Sequence, residues 1–382
     1  MTWSPLTGSE RDVALAVLLD GPLPRSELAR RLRLSAGSLT RLTKPLLASG
    51  LVVEMPVEHD QESGRPTRPL DIRPAAHHFL GVKLTADTAY GVVTSIRAEI
   101  LAHGRRPLPD RDPRSVVAAV AELARTLGAG HGGRWTAAGI SLGGRVTEHA
   151  TVSSARYLGW RDVALGPACA AALDCPVVVD NDLLSLTRAE QWFGAGKGYD
   201  DFALLTIGEG IGYGLVAHGR MRSGPDASIG VLGHHPLDPL GPLCPEGHQG
   251  CAEAMLTIPA IRHRVSLGLG RDVDYDTCLD LAAAGDPVAA RTVGDAAAAL
   301  GRLTAAVGNL TLTDRIVLSG DGIRLADVGR PSFDAALGRD RSPHASPLDV
   351  VVRRTDFTDW ARGAAATAIQ TYALGVPAGG TP

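Results

Sequence analysis

The sequence predicts an α/β protein that is preceded by a winged helix-turn-helix, and three observations support this fold class. Three short helical patterns open the chain before residue 50. Two strand patterns then flank a Gly- and Pro-rich turn between residues 62 and 69, as in a wing. From about His78 onward, strand and helix patterns alternate in a body rich in Gly and Ala, which is typical of α/β domains.

The three helical patterns predict a helix-turn-helix. The apolar residues expected to face inward are Val13, Val17 and Leu18 in the first helix, Leu28 and Leu32 in the second, and Leu39, Leu42 and Leu46 in the third. Pro24 is predicted at the first position of the second helix, and Ser35 is predicted to cap the third. A short turn from Arg33 to Ser35 separates these two helices. Pro45 is expected to kink the third helix near its end, because proline has no N–H to donate.

The outward side of the third helix carries residue types that suit DNA. Its predicted DNA contacts are Ser35, Ser38, Thr40, Arg41 and Lys44. Six basic side chains stand against one acid, Glu27, between residues 25 and 44, and such a bias attracts phosphates. In the wing, whose strands are predicted at Leu51 to Met55 and at Leu70 to Ile72, Arg65 is expected at the tip, where a guanidinium can enter a narrow minor groove. The alternative is that the three helices bind another protein and that their arginines are merely solvated.

The composition fits a globular protein and excludes other classes. Of the 382 residues, 45% are hydrophobic and 21% are charged, and no apolar run is long enough to span a membrane. Because the N-terminus lacks the layout of a secretory signal, we expect a cytoplasmic protein. The cysteines are odd in number and unevenly spaced, which predicts reduced thiols and leaves metal binding open: Cys169, Cys175, Cys244, Cys251 and Cys278. With a net charge of -3, DNA contact must depend on a local basic patch.

The body begins with a pattern of three strands and a helix that occurs twice. Strands are predicted at Gly81 to Thr85, Tyr90 to Ser95, Glu99 to His103, Trp135 to Leu142, Pro176 to Asp180, Phe202 to Ile207 and Arg315 to Ser319, with a long Ala-rich helix from about Pro113 to Leu127. The strand-strand-strand-helix opening recurs after Phe202. Two similar lobes would give this recurrence.

Five motifs carry a resemblance to a known family. They are the wing GRPTRP, the block Val179 to Asp182, the stretch AEQWFGAGKGYDDFALLTIGEGIGYGL, the Gly233–His234 pair, and the segment from Cys244 to Glu253. In this order they resemble the ROK family (repressor, open reading frame, kinase), and the likeness extends over nearly the whole chain. The resemblance implies an actin-like, two-lobed sugar-kinase fold of the ASKHA type, with the sugar in the cleft.

The resemblance also implies a domain organisation. A winged helix-turn-helix would occupy residues 1–73, and the first lobe of the kinase-like domain residues 78–190. The second lobe, residues 191–356, would carry a metal motif, and a C-terminal helix at 357–375 would return to the first lobe.

Both phosphate loops of the family's kinases are altered in this chain. The first loop is Asp-x-Gly-x-Thr in the kinases, and its positions are Lys83, Thr85 and Asp87 here. The second is Gly-Thr-Gly-x-Gly, and Glu209 takes the place of its threonine. A side chain at Thr85 would obstruct the close approach that phosphates need, and the two carboxylates would repel them. The chain is therefore expected to bind no ATP.

The resemblance assigns four sugar-binding residues, Asn181, Asp182, His234 and Glu253. Asp182 matches the general base of the kinases, and without a phosphoryl donor it would only accept a hydrogen bond from the sugar. Two further positions depart from the family, because Val231 replaces a glutamate and Tyr157 replaces an asparagine. The alternative for Asn181 or Asp182 is a structural cap between a strand and a helix.

A structural zinc is also implied by the resemblance. The family holds it with one histidine and three cysteines, which correspond to His234, Cys244, Glu246 and Cys251. Because Glu246 replaces a thiolate, the fourth ligand is either that carboxylate or a histidine, His248 or His235. The alternative is that the two cysteines are ordinary loop residues.

These observations favour a transcriptional regulator, most simply a repressor, of carbohydrate-related genes. It would bind a double-stranded DNA operator with an inverted repeat as a homodimer or a dimer of dimers, respond to a sugar or sugar phosphate, and have no membrane partner. Two other functions remain open. One is an active ATP-dependent sugar kinase fused to a DNA-binding module, and the other is a DNA-binding protein whose body senses no ligand.

Overall fold

The structure is a computed structural model that describes residues 6, 8–59, 66–74, 77–224, 226–227 and 230–375. The chain divides into two compact units. The first contains residues 1–193 and 357–382, and the second contains residues 194–356. Each unit is built around its own five-stranded sheet with helices packed on it.

Three helices and two short strand pairs open the first unit. They are α1 (Gly8–Asp20), α2 (Arg25–Arg31), α3 (Ala36–Ala48), β1 (Val52–Glu54), β2 (Glu58–His59), β3 (Pro66–Thr67) and β4 (Leu70–Ile72). Strands β1 and β4 pair antiparallel, as do β2 and β3. We call residues 8–72 the head. The predicted inward-facing leucines and valines are buried, although Leu32 and Leu42 are only partly so.

Local details of the head agree with the sequence except at one proline. Helix α3 begins after Ser35, whose Oγ accepts a hydrogen bond from the N–H of Ser38 at 3.2 Å, so the predicted cap is confirmed. Pro24 was expected inside α2, but it is the N-cap in an extended conformation. Helix α3 continues beyond Pro45 to Ala48. The predicted wing tip, Arg65, lies outside the described residues.

The sheet of the first unit follows the head. Its elements are β5 (Phe79–Leu84), β6 (Thr88–Thr94), β7 (Ile100–Pro107), α4 (Pro113–Gly128), β8 (Ala137–Leu142), β9 (Arg145–Thr147), β10 (Thr151–Ala155), β11 (Trp160–Val163), α5 (Leu165–Leu173), β12 (Val177–Asn181) and α6 (Asp182–Phe193). The strand order is β12-β8-β5-β6-β7, with β5, β6 and β7 antiparallel and β8 and β12 parallel to β5. Strands β9, β10 and β11 form a separate small sheet.

The second unit has a sheet of the same design. Its elements are β13 (Phe202–Ile207), β14 (Ile211–Ala217), β15 (Arg220–Met221), α7 (Ala252–Leu256), α8 (Ile258–Leu269), α9 (Tyr275–Ala283), α10 (Pro287–Thr311), β16 (Arg315–Ser319), α11 (Arg324–Val328), α12 (Arg330–Arg339) and β17 (Asp349–Val352). The order β15-β14-β13-β16-β17 again joins three antiparallel strands to two parallel ones. The predicted recurrence of strands after Phe202 is thereby confirmed.

Helix α13 (Phe357–Ala368) belongs to the first unit and packs closely on its sheet. A methyl group added to Gly81 would lie 2.1 Å from the carbonyl oxygen of Ala361, and one added to Gly139 would lie 1.8 Å from that of Ala364. Both glycines are therefore required for the approach of the helix to β5 and β8. A π-helical turn, Ile369–Ala373, follows α13.

The head shares a hydrophobic core with the sheet of the first unit. Its core residues form one cluster with Phe79 and Val92 of the sheet, with Ile96 of the turn after β6, and with buried residues of α13. In the turn between β6 and β7, Arg97 forms an ion pair with Asp71 of β4 and donates to the carbonyl oxygen of Val17 at 3.3 Å. The head is thus packed directly on the sheet of the first unit, to which it belongs. Among the helices in the described part of the chain, none has the length and apolar character that a membrane span requires.

Candidate functional site

The exposed face of α3 presents the predicted DNA contacts. Thr40, Arg41 and Lys44 are exposed, Ser38 is half-buried, and Ser35 caps the helix. The hydroxyl of Thr40 donates to the carbonyl oxygen of Ala36 at 2.9 Å, so it is partly used within the helix. The two cations are the strongest features of this face.

The charges around α3 are unevenly neutralised. Arg30 and Arg31 both pair with Glu27, and hydrogen bonds from Arg30 and then Arg31 lower the pKa of Glu27 to about 2. Arg25 pairs with Glu54 at 2.7 Å. By contrast, Arg33, Arg41 and Lys44 make no ion pair with any residue that the structure describes, and all three are exposed.

We call these three side chains, Arg33, Arg41 and Lys44, the open cations of the head. Arg33 lies in the turn before α3, where its φ is 53°. In the sequence, Arg33 is one of the six basic residues between positions 25 and 44, but it was not predicted to contact DNA. The local charge that remains available to phosphates is thus concentrated on α3 and on the turn before it.

In the first unit, the positions that match the first phosphate loop form a hairpin closed on itself. The N–H of Thr85 donates to the carbonyl oxygen of Thr88 at 2.9 Å, and the Thr85 hydroxyl contacts Asp87 Oδ1 at 3.0 Å. The carboxylate of Asp87 is exposed at the hairpin. The backbone donor of Thr85 is therefore already occupied.

The side chain of Lys83 forms an ion pair with Asp182, and both side chains are largely buried. The ammonium also lies 5.4 Å from the centroid of the Trp360 ring, within cation–π range. The residue that matches a kinase base thus has one carboxylate oxygen engaged by a cation from the altered phosphate loop. Lys83 and Asp182 are 99 residues apart in the sequence, so no local sequence pattern predicts that they pair.

Asn181 is used by the backbone around it. Its Oδ1 accepts from the N–H groups of Leu183 and Leu184 at 3.0 and 3.3 Å, and its Nδ2 donates to the carbonyl oxygen of Gly144 at 3.0 Å. This is the capping geometry that was the structural alternative for this residue. Nδ2 has a second proton, and Asn181 is 4% exposed.

Tyr157 lies beside Asp182. It stands in the turn between β10 and β11 and is 49% exposed. A methyl group added to Gly143 would lie 3.5 Å from Asp182 Oδ2 and 3.7 Å from Tyr157 Cδ2. The structure therefore places Asp182, Tyr157 and the bare backbone of Gly143 around one small open space.

In the second unit, the glycine-rich hairpin carries acidic groups. Glu209 is exposed at its tip, where Gly208 donates to the carbonyl oxygen of Gly210 at 3.0 Å. A methyl group added to Gly208 would lie 3.9 Å from Asp321 Oδ2. Sequence reasoning missed Asp321, although the pattern Gly-Asp-Gly directly after β16 was a visible signal. Two carboxylates thus stand where a phosphate loop needs donors.

The predicted metal ligands come together in the second unit. The ligand atoms of His234, Cys244 and Cys251 all lie within 4.8 Å of one another. His248 Nδ1 lies 3.5 Å from Cys244 Sγ, and Glu246 Oε2 lies 3.0 Å from His234 Nε2. A second group, formed by His234, Glu246 and His248, shares that histidine, and its ligand atoms also lie within 4.8 Å of one another. Thiolate, imidazole and carboxylate are all ligand types that bind metal ions in proteins.

Glu253, a predicted sugar contact, borders the same histidine. Its Oε2 lies 3.6 Å from His234 Nδ1. Val231 stands at the position where the family has a glutamate, and it is exposed. It begins a 3₁₀ turn (Val231–His234) that leads into the metal-binding residues. His234 thus contacts both the group of metal-binding residues and the predicted sugar contact.

The two thiols of the cluster differ in their chemistry. Burial acts to raise the pKa of Cys244, but hydrogen bonds from His248 and from the nearby backbone outweigh it and hold the pKa below its usual value. Burial raises the pKa of Cys251. Outside the cluster, burial raises the pKa of Cys169 to about 12 and that of Cys175 to about 11. Cys244 is thus the cysteine that most readily supplies a thiolate.

Comparison with known proteins places the chain among regulators and sugar kinases. The model of the ROK family matches residues 79–370. The DNA-binding transcriptional repressor Mlc of Escherichia coli (strain K12) is 24% identical over 353 residues, which cover 89% of this chain and 87% of Mlc. The N-acetylglucosamine repressor of Escherichia coli O6:H1 is 25% identical over 333 residues, 83% of this chain and 81% of that protein.

A solved structure resembles nearly the entire chain. The crystal structure of a ROK family transcriptional regulator, a homologue of the E. coli MLC protein, superposes with a TM-score of 0.81 and 25% identity. The match covers 97% of this chain and 98% of that one. The predicted fold class is thereby confirmed, and the similarity includes the head, which precedes the residues that the family model matches.

Proposed function

Because this chain belongs to the ROK family, we propose that it is a DNA-binding transcriptional regulator, a repressor of carbohydrate-related genes. The observation that carries the proposal is the exposed face of α3, with Arg41 and Lys44 free of intramolecular ion pairs among the described residues. The similarity to two repressors over most of the chain supports it. The kinase-like body would sense a sugar or a sugar phosphate.

Substitutions on α3 test the DNA-binding role. An operator is first selected from genomic fragments with purified protein, and affinity is then measured over a range of salt concentrations. Arg41→Ala is expected to weaken specific binding by about 1–3 kcal/mol if it contacts a base. Lys44→Ala, as a phosphate contact, is expected to weaken binding to all sequences and to reduce the salt slope by about one.

The control removes the same charge elsewhere. Arg125 is exposed on α4, and within the described ranges of the chain its one ion pair is a long one of 3.9 Å to Glu122. Arg125→Ala should therefore leave both affinity and salt slope unchanged. Equal losses in all three variants would show that the net charge, not the α3 face, controls binding.

We further propose that the operator is an inverted repeat bound by a homodimer, or by a dimer of dimers. A single helix-turn-helix buries too little surface for tight specific binding, and paired half-sites multiply its affinity. Footprinting of the selected operator should give protection with two-fold symmetry. Asymmetric protection over a single half-site would contradict the dimer.

We propose that Asp182 is an effector contact of the first unit. His234 and Glu253 are proposed effector contacts within the second unit. Asn181 would contribute through its remaining Nδ2 proton while it caps α6. Ligand binding can shift operator affinity only if it favours one of two conformations of the protein. Unchanged operator affinity across a broad sugar panel would contradict the sensing role.

The residues of the metal cluster support a structural zinc. We propose that His234, Cys244, His248 and Cys251 hold the ion. Glu246 is close to the other nitrogen of His234, where a carboxylate orients a ligating imidazole. A bound zinc would fix the loop of residues 244–251 to the 3₁₀ turn. His235 is the weaker alternative, because no contact between its side chain and Cys244 or Cys251 is recorded among the described residues.

We also propose that the body has no kinase activity. The ammonium of Lys83 engages Asp182, the Thr85 donor is used within its hairpin, and Glu209 and Asp321 lie at the second loop. Phosphoryl transfer depends on positioned donors and metal ions around the phosphates. Retention of Asn181 and Asp182 favours an active kinase instead, and a test for sugar-dependent ADP release separates the two functions.

A further inference from the structure

The surroundings of Asp182 form a small surface in which Tyr157 takes the place of the family's asparagine. An aromatic ring thus replaces an amide beside the predicted sugar contact. We infer that Tyr157 and the Lys83–Asp182 ion pair contact the sugar directly and that they select an uncharged sugar ring over the same sugar carrying a 6-phosphate. The inference rests on the proposed sensing function and specifies its ligand class.

Lys83 is held firmly in place. It is 7% exposed, it pairs with Asp182, and the Trp360 ring lies over its ammonium. In the sheet Lys83 is opposite Tyr90, whose ring stacks on Phe357 with centroids 4.5 Å apart. The charge of Lys83 is therefore fixed beside Asp182 and is balanced by it.

A balanced ion pair recognises hydroxyl groups better than phosphates. A sugar hydroxyl both donates and accepts, so it can donate to the carboxylate of Asp182 and accept from the ammonium of Lys83. A phosphate only accepts, and it would bring negative charge against Asp182 while Lys83 is already paired. The pair therefore offers a donor and an acceptor but no net charge.

Tyr157 adds an apolar face beside this pair. Although Tyr157 is exposed, its turn is anchored by the buried residues Leu158 and Trp160, which follow it in the chain. The indole N–H of Trp160 donates to the carbonyl oxygen of Arg111 at 2.6 Å. Ligand sites commonly combine an aromatic wall with a few fixed polar groups, and the ring of Tyr157 can stack on the C–H face of a sugar. The tyrosine therefore replaces an amide contact with a stacking contact.

Gly143 keeps the space between these groups open. A methyl group at this position would make contacts of 3.5 Å to Asp182 Oδ2 and 3.7 and 4.0 Å to the ring of Tyr157. These are ordinary van der Waals distances, so alanine fits the folded protein. The methyl group would nevertheless occupy the volume that a ligand needs between the carboxylate and the ring.

Calorimetric titration with four probes tests the inference. They are glucose, N-acetylglucosamine and the 6-phosphate of each. At least one free sugar is expected to bind the full-length protein at least about tenfold more tightly than its own 6-phosphate, because the phosphate would face a carboxylate. Tyr157→Ala and Gly143→Ala should each weaken that sugar by about tenfold, whereas Tyr157→Phe, which retains the ring, should stay within about threefold of the wild type.

The controls separate local from general effects. Gly130→Ala adds a methyl group in open space on the same unit and should leave sugar affinity unchanged. Lys83→Met should weaken binding of the free sugar and should not strengthen binding of its 6-phosphate. Operator binding by each variant without sugar, measured by footprinting, shows that the protein is folded and tests the regulator function independently.

Three results would overturn the inference. The first is a 6-phosphate that binds more tightly than its free sugar. The second is a Tyr157→Ala or Gly143→Ala variant with unchanged sugar affinity. The third is that none of the four probes binds, which would remove this ligand class even if operator binding persists.

Discussion

At the scale of single residues, a residue that departs from the kinase pattern, Lys83, pairs with one that retains it, Asp182. Lys83 was conspicuous in the sequence as a cation in a phosphate loop, but its ion pair with Asp182 required the fold. Asn181 shows the converse, since its residue type matched a sugar contact while its amide is largely used to cap α6. Residue type predicts which groups are chemically able to act. Only the fold shows which of them are already occupied.

The choice of the fourth zinc ligand is a prediction at this scale. Protein purified without chelator should contain one zinc per chain, and His248→Ala should lower its zinc content well below one. Glu246→Gln is the matched control, because an outer carboxylate orients a ligand without binding the metal. Its loss should lower zinc affinity by about 10–100-fold and should reduce the zinc content less than His248→Ala does. Retention of zinc in His248→Ala together with its loss in Glu246→Gln would reverse the assignment.

At the scale of elements, the spacing of apolar residues predicted those helices and strands that have a buried face. Seven strands of the two large sheets lie within a few residues of their predicted positions, because alternating or continuous apolar runs reflect burial directly. Strands β14, β15 and β17 had no predicted positions. The small sheet of β9, β10 and β11 was not predicted. Its strands are partly exposed and lack such a pattern, yet they carry the turn that holds Tyr157 beside Asp182.

Helix α2 yields a prediction about charge. Glu27 pairs with Arg30 and Arg31, and Arg31 also pairs with Asp20 at 2.9 Å. Glu27→Gln should therefore remove one negative charge beside the open cations of the head. Affinity for non-specific DNA should rise, and its dependence on salt should become steeper by about one or two phosphate contacts. Binding to random-sequence DNA measured by fluorescence anisotropy at several salt concentrations is the appropriate assay.

Glu122 provides a matched control for that charge change. It also pairs with two arginines, Arg106 and Arg125, but it lies on α4. Glu122→Gln should leave DNA binding unchanged, and an equal increase in both variants would contradict a local role of α2. The lowered pKa of Glu27 adds a pH effect, because a carboxylate whose folded pKa is depressed stabilises the head above about pH 4.5 and loses this contribution as pH falls towards about 2.

At the scale of the whole molecule, both units share one sheet order, and the hairpins that match the phosphate loops of the family's kinases carry Asp87 and Glu209. With ATP, magnesium and either glucose or N-acetylglucosamine, the purified protein should release no ADP above the background of an Asp182→Ala variant. The physical reason is that one hairpin donor is occupied and that carboxylates stand at both hairpins. Sugar-dependent ADP release that disappears in Asp182→Ala would establish a kinase instead.

The continuous core between the head and the first sheet limits how such regulators can be recombined. A chain that begins at residue 74 would uncover Phe79, Val92 and Ile96, all fully buried in the intact protein. An exposed apolar patch of this kind favours aggregation. Transplanting this head onto another body would require the recipient to supply a complementary apolar face and a cation for Asp71, as Arg97 does here. New operator specificity should therefore arise more readily by exchange of side chains along α3 than by exchange of entire heads.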